Sequence, residues 1–256
     1  MRRPGAPRPR ARRALAAASA GLACAVAHGA DGNAIDAWTL DGDLGAALLS
    51  VQGSAPGQAA RTRAIPYAYA DFGRLFARED TFGAKLLPVG WGALELVARV
   101  STEGADSAGP RVASRKNPRP VGVGTFQETP WGGVFLDAFR DTVSGGTLLE
   151  ASYAAEVALG PVTFYPQAGV AHRSARYVDH LYGVTTADAR STGERAYAAG
   201  ASTMPVLGLS AEWAFAPRWV IVAHVERESF DRAISDSPRV GRDGQSTAFV
   251  ALARRF

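Results

Sequence analysis

The sequence predicts an all-β protein: a transmembrane antiparallel β-barrel of about 12 strands, preceded by a cleavable signal peptide. Three observations predict it. Residues 1–30 have the layout of an export signal. The remainder alternates apolar and polar side chains with period two, and has no apolar run long enough for a membrane helix. Short connections alternate along the chain with long ones.

The signal comes first. Arg2, Arg3, Arg8, Arg10, Arg12 and Arg13 crowd the start, and the first acid is Asp31. Residues 14–27 are small and apolar, and Ala25 with Ala27 offers small residues for a cut after Ala27; Ala27 with Gly29 offers a second. Leu22-Ala23-Cys24 raises an alternative, acylation of Cys24, although Gly21 stands where a lipobox wants leucine. The expected organisation is a signal over 1–30 and a barrel over 31–256. The net charge of +4, less those six arginines, becomes −2, so the basic balance belongs to the export segment and a nucleic-acid partner is excluded. Cys24 is the sole cysteine, which excludes disulfides, zinc clusters and thiol nucleophiles from the mature chain.

Alternation then marks the strands. Leu149, Ala151, Tyr153, Ala155 and Val157 share one face, while Glu150, Ser152, Ala154 and Glu156 share the other. Trp219, Ile221, Ala223 and Val225 alternate with Val220, Val222, His224 and Glu226. Leu94, Leu96 and Ala98 alternate with Glu95, Val97 and Arg99. A helix of period 3.6 would scatter these sets around its surface. The expected strands are 38–50, 61–69, 73–79, 81–87, 91–101, 119–128, 131–141, 147–159, 162–173, 197–214, 218–230 and 245–256. Between them, 70–72, 88–90, 129–130, 160–161 and 215–217 are short, with Pro88, Pro130, Pro161 and Pro217 read as turn markers on the periplasmic side. The other side carries 51–60, 80, 102–118, 142–146, 174–196 and 231–244. Trp91, Trp131 and Trp219, beside short turns, suit an interfacial girdle. The last strand ends on Phe256, with Val250 and Leu252 on the same face; these three are the expected signal for the barrel-assembly machinery.

The candidate chemistry is sparse. Glu95, Arg99, Glu150, Glu156, His224 and Glu226 are expected to face the lumen, where they either line a channel or plug it. His224 with Glu226 is the best available acid–base pair, since residues two apart share a strand face, but a lumen of paired charges accounts for it as well. His172, Asp179 and His180 do not have a recognised metal-ligand spacing. Gly122-x-Gly124 precedes neither a phosphate loop nor a helix. The expectation is therefore no enzyme, no catalytic or metal residue and no cofactor.

The C-terminal third carries a family resemblance. Tyr182-Gly183-Val184-Thr185, Ala189, Tyr197 and Gly200, then Ile234-Ser235-Asp236-Ser237-Pro238, Val240 and the terminal Phe256, resemble the MipA/OmpV family of MltA-interacting outer-membrane proteins. Gly53-Ser54 with Pro66-Tyr67, and Arg140-Asp141 with Ser144-Gly145-Gly146, extend the likeness upstream. The resemblance implies a Gram-negative outer-membrane location, contact with membrane lipid and lipopolysaccharide, and a scaffold joining a murein lytic transglycosylase to a murein polymerase. The chain is read as a monomer. A narrow passive pore, and an adhesin using the long loops, are the alternatives.

Overall fold

The computed structural model describes residues 38–106 and 115–256. The expected signal segment lies outside these residues. The strands are β1 (Leu40–Gln52), β2 (Arg61–Phe72), β3 (Leu75–Arg78), β4 (Thr81–Val89), β5 (Gly92–Arg99), β6 (Pro120–Thr129), β7 (Gly132–Asp141), β8 (Thr147–Ala155), β9 (Val157–Leu159), β10 (Val162–Arg173), β11 (Ser202–Ala216), β12 (Trp219–Ser229) and β13 (Gly244–Arg255). Short helices α1 (Glu103–Asp106), α2 (Ala175–Tyr182), α3 (Thr186–Thr192) and α4 (Arg232–Ser235) lie in the long connections.

Every neighbour in the sheet is antiparallel, and β11 closes it by pairing with both β10 and β12. Strands β8 and β9 are two halves of one stave interrupted at Glu156, each pairing with β10, so the wall has twelve staves. First and last strands meet in a register running from Asp43–Arg255 to Gln52–Ser246. Closure satisfies backbone polar groups without water, the condition for crossing a bilayer as a sheet. No helix among the described residues is long and apolar enough to cross a membrane.

Period-two patterning sets the wall. On β13, Phe249, Ala251 and Ala253 are buried while Val250 is 55% exposed and Leu252 49%. Leu48, Leu96, Leu136 and Leu207 are exposed on other strands at the same parity, so the outer surface is apolar. Two-residue turns occupy one end, at 73–74, 90–91, 130–131, 160–161 and 217–218. Trp131 in its turn is 72% exposed, and Trp91 and Trp219 are also exposed near that end.

Three expectations need correction. Residues 70–72 are no connection: they end β2, and the turn is made at 73–74, where a strand was expected to begin. Pro88 is no turn marker: it lies within β4 opposite Ala93, and the turn is made one step later by Gly90 at φ 60°. Residues 197–201 are not the start of β11. Tyr197 instead forms an isolated bridge with Val184, and the Ala199 N–H donates to Asp179, so the strand begins only at Ser202.

Candidate functional site

The inward faces of the strands bring charged and aromatic groups into one interior. Nearest the two-residue turns, Arg255 on β13 forks onto Asp43 of β1, with its Nε at 3.0 Å and Nη2 at 2.8 Å, and reaches Glu212 of β11 at 2.7 Å. One guanidinium thereby ties the closing seam to a strand beyond it. A planar five-donor fork is the side chain suited to gripping two carboxylates.

Further along the axis, Arg78 holds Glu95 through two parallel bonds of 2.8 and 2.7 Å. Arg99 meets Glu150 at 2.7 Å and Asp80 at 3.7 Å. Between these, the Gln167 amide donates to the Ser210 hydroxyl at 2.9 Å, and that oxygen lies 2.9 Å from His224 Nδ1. The His224 ring stacks on Phe249. His224 is therefore bonded to a serine, not to Glu226.

The third layer sits under the long-loop end. Arg173, 1% exposed, bonds Glu103 of α1 at 2.6 Å and Glu228 of β12 at 3.0 Å, while the Tyr177 hydroxyl donates to the other Glu103 oxygen at 2.8 Å. Above it, α2 lies in the barrel mouth. Tyr177, Val178, Leu181 and Tyr182 are 0–2% exposed and pack on Phe139, Leu148, Met204, Val206 and Ile234. Their spacing puts all four on one helical face. The approach is close: a Cβ at Gly146 would fall 2.5 Å from the Tyr177 nitrogen, so only glycine lets the 142–146 connection pass under α2. Ser237 donates to the Tyr182 carbonyl at 2.6 Å and Arg239 to that of Gly183 at 2.9 Å, fastening the α4 connection over the helix.

Outside the mouth, Thr185 and Asp188 form a reciprocal capping box on α3, and Arg115 bonds Asp188 at 3.0 Å. Burial alone would raise the Asp188 carboxyl, but the Thr185 N–H and the Arg115 guanidinium hold it below its ordinary value of 3.8. A carboxyl depressed on folding stabilises above its unfolded value and loses that contribution as pH falls through its folded one. Deuterium uptake of residues 186–193, corrected for intrinsic rates, should accordingly rise below about pH 4 and lose that pH dependence in D188N.

The other sequence candidates fall as follows. Glu95, Arg99, Glu150 and Glu226 are buried within the wall, and Glu156 is half-buried at the break between β8 and β9. Val250, Leu252 and Phe256 all face outward. His172, Asp179 and His180 are separately engaged, by Thr203, the Ala199 N–H and the Lys116 carbonyl. Gly122 and Gly124 lie within β6. Sequence reasoning missed Arg173, Glu103, Arg78, Asp43, Glu212 and Arg255. Arg173 shares the parity of Tyr165, Gln167 and Ala171 on β10, and that parity was the available signal.

Comparison with known proteins follows from this geometry. A family model described as MltA-interacting protein MipA matches residues 44–256. A protein of Escherichia coli (strain K12) named as outer membrane protein YiaT is 25% identical over 206 residues, covering 76% of this chain and 82% of that protein. Its counterpart in Escherichia coli O157:H7 is 24% identical over the same coverage. Among solved structures, the N-terminal β-barrel domain of Pseudomonas aeruginosa OprF matches with 10% identity over 85% of this chain and 100% of that one, at a TM-score of 0.26. A loop-deleted OmpT, an outer membrane protein of Vibrio cholerae, matches with 8% identity over 86% and 100%, at 0.30.

Proposed function

The chain belongs to the MltA-interacting protein MipA family and is an outer-membrane β-barrel; from that premise we propose that it is a closed, structural barrel that docks enzymes of murein turnover at its periplasmic rim. The carrying observation is α2 seated in the mouth with Tyr177, Val178, Leu181 and Tyr182 buried, above Arg173, which bonds both Glu103 and Glu228. A lumen in which Arg78, Arg99, Arg173 and Arg255 each hold a carboxylate, and whose mouth is filled by a helix, supports a plugged barrel over an open pore. Planar-bilayer recording tests this: the wild-type protein should give no steady conductance step, and a stable open level would overturn the reading.

The docked partner in this reading is MltA, the protein named in the family's description, a murein lytic transglycosylase; a murein polymerase is the second member we propose for the assembly. Among the described residues the rim offers only two-residue turns, so we propose that docking draws on the rim and on the sequence 31–37. Val250, Leu252 and Phe256 serve the barrel-assembly machinery, and the apolar outer wall meets membrane lipid and lipopolysaccharide. Pull-down of the transglycosylase by the protein lacking 31–37 and altered at Trp91 and Trp131 should fail, whereas undiminished capture removes the scaffold reading. The long loops favour adhesion less, because 174–201 folds inward upon the barrel.

A further inference from the structure

The outward face of the wall changes character along four neighbouring staves. Across β11, β12, β13 and β1 the registers set outward side chains in rows. One row, from Ala211 through Ala223 and Val250 to Leu48, is apolar throughout. Two residues nearer the long loops the row reads Leu209, Val225, Ala248, Ser50. Two further on it reads Leu207, Arg227, Ser246, Gln52. The small side chains of Ala248, Ser246 and Ser50 set a low floor beside the exposed ridge of Leu207 and Leu209. These two upper rows, with Ala60 at the far corner, line an open groove of about 580 Å³. It lies on the surface that meets lipid, so a guest reaches it directly from the bilayer.

The groove is charged at one end only. The Arg227 side chain is 45% exposed. Its Nη2 donates to Asp243 at 2.7 Å and its Nη1 to the Ser246 hydroxyl at 3.3 Å. The Asp243 side chain is 91% exposed, and an ion pair so open to solvent contributes little and is easily exchanged. A guanidinium carries five N–H donors in a fork that matches phosphate through parallel bonds. Arginine on a lipid-facing strand is costly at mid-bilayer and tolerated near an interface, so Arg227 marks the headgroup level of its stave. Two more cations stand at this corner. Arg61, opposite Val51 on β1, follows Ala60 and is exposed; Arg242, also exposed, donates to the Gln58 carbonyl at 3.3 Å. Glu226, which also contributes to the lining, has the inward parity and is 4% exposed, so its carboxylate does not offset them. Three arginines against Asp243 leave the upper corner positive, while Val225, Ala248 and the leucine ridge below offer only hydrocarbon. The matching guest is anionic at one end and apolar at the other.

We propose that this groove is a binding site for the lipid A moiety of lipopolysaccharide, with an acyl chain over Val225 and Ala248 against Leu207 and Leu209, and a lipid phosphate taking the place of Asp243 on Arg227. The site deepens the reading of the outer wall as a lipid contact and rests on its orientation, two-residue turns toward the periplasm; it needs neither the filled mouth nor docking at the rim. Native mass spectrometry of the full-length mature protein in detergent micelles, titrated with bisphosphorylated lipid A, tests it. Saturable binding of one lipid A per barrel is expected. R227Q and Ala248→Phe, which fills the groove without altering charge, should each weaken it about tenfold or more, whereas D243N, which removes the competing carboxylate, should bind at least as tightly. R140Q, on the outer face of β7 across the barrel, should bind as wild type does. Each variant is first shown to keep the mobility difference between unheated and boiled samples, which separates a lost site from a lost fold. Conductance and transglycosylase capture, read on the same variants, should stay as in wild type, so failure of the plug or the scaffold is told apart from failure of the lipid site. Absence of saturable binding, wild-type affinity in either R227Q or A248F, weaker binding in D243N, or equal affinity for phosphatidylglycerol or for dephosphorylated lipid A would overturn the proposal.

Discussion

Replacing Arg173 with alanine is expected to unplug the barrel. The guanidinium is buried, joins β10 to α1 through Glu103 and to β12 through Glu228, and lies beneath Tyr177 of the plug helix. Its removal leaves two carboxylates facing each other in a closed space without a cation. Breaking a buried pair in this way typically costs about 3–5 kcal/mol, because the remaining charge keeps its desolvation penalty. The wall, held by strand pairing all around, is not the weak point. The connection is: α2 is eight residues long, too short to hold as a helix without its apolar face packed. The variant should therefore still show the heat-dependent mobility of a closed barrel, yet pass current in discrete steps and lose protection from exchange across 175–182. Current as low as wild type's, with unchanged protection, would mean that packing against Phe139, Leu148 and Met204 suffices and that the ion network is incidental. R173K separates the terms further, since a single ammonium restores charge but not the fork to Glu103 and Glu228.

What the sequence made legible, and what it hid, divides along the same physical line. Alternation on β5, β8 and β12 survives in the structure residue by residue because one face meets lipid and the other a packed interior, so each side chain has only one tolerable direction. The signal was weakest at 73–87, and β3 and β4 explain why. One has only four residues, and the other carries a register shift between Lys85 and Leu87 with no alternation in its burial. Pro88 misled because proline is common in turns; its missing N–H is equally tolerable at a strand position beside an irregularity. The inward direction of Glu95, Arg99, Glu150 and Glu226 could be read from parity. Their partners could not: Arg173 and Glu103 are 70 residues apart, and only closure brings them together. The plug was hidden for another reason. Tyr177, Val178, Leu181 and Tyr182 have helical spacing over a stretch too short to register as periodic, and the helix depends on the barrel mouth for its stability.

Gly45→Val is expected to prevent closure outright. Gly45 on β1 stands opposite Ala253 on β13 and Tyr67 on β2, at the seam where the chain's first and last strands meet. A Cβ built there would fall 2.0 Å from the Leu252 carbonyl oxygen and 2.6 Å from the Ala253 Cα. Both are backbone atoms, so no rotamer change relieves the clash, and β1 must move off β13. That movement strains the pairs from Asp43–Arg255 onward and pulls Asp43 from the Arg255 guanidinium, which also holds Glu212. Here the larger loss is the seam itself, because an unpaired strand edge has no water to satisfy it inside a bilayer. The G45V protein should migrate identically with and without boiling, and be depleted from the outer-membrane fraction. The neighbouring Ala46→Val is the control: Ala46 is exposed on the outer wall, where a larger apolar side chain only meets lipid, and heat-dependent migration should be retained. If both variants assembled normally, the β1–β13 seam would have to tolerate a separation that its register does not allow.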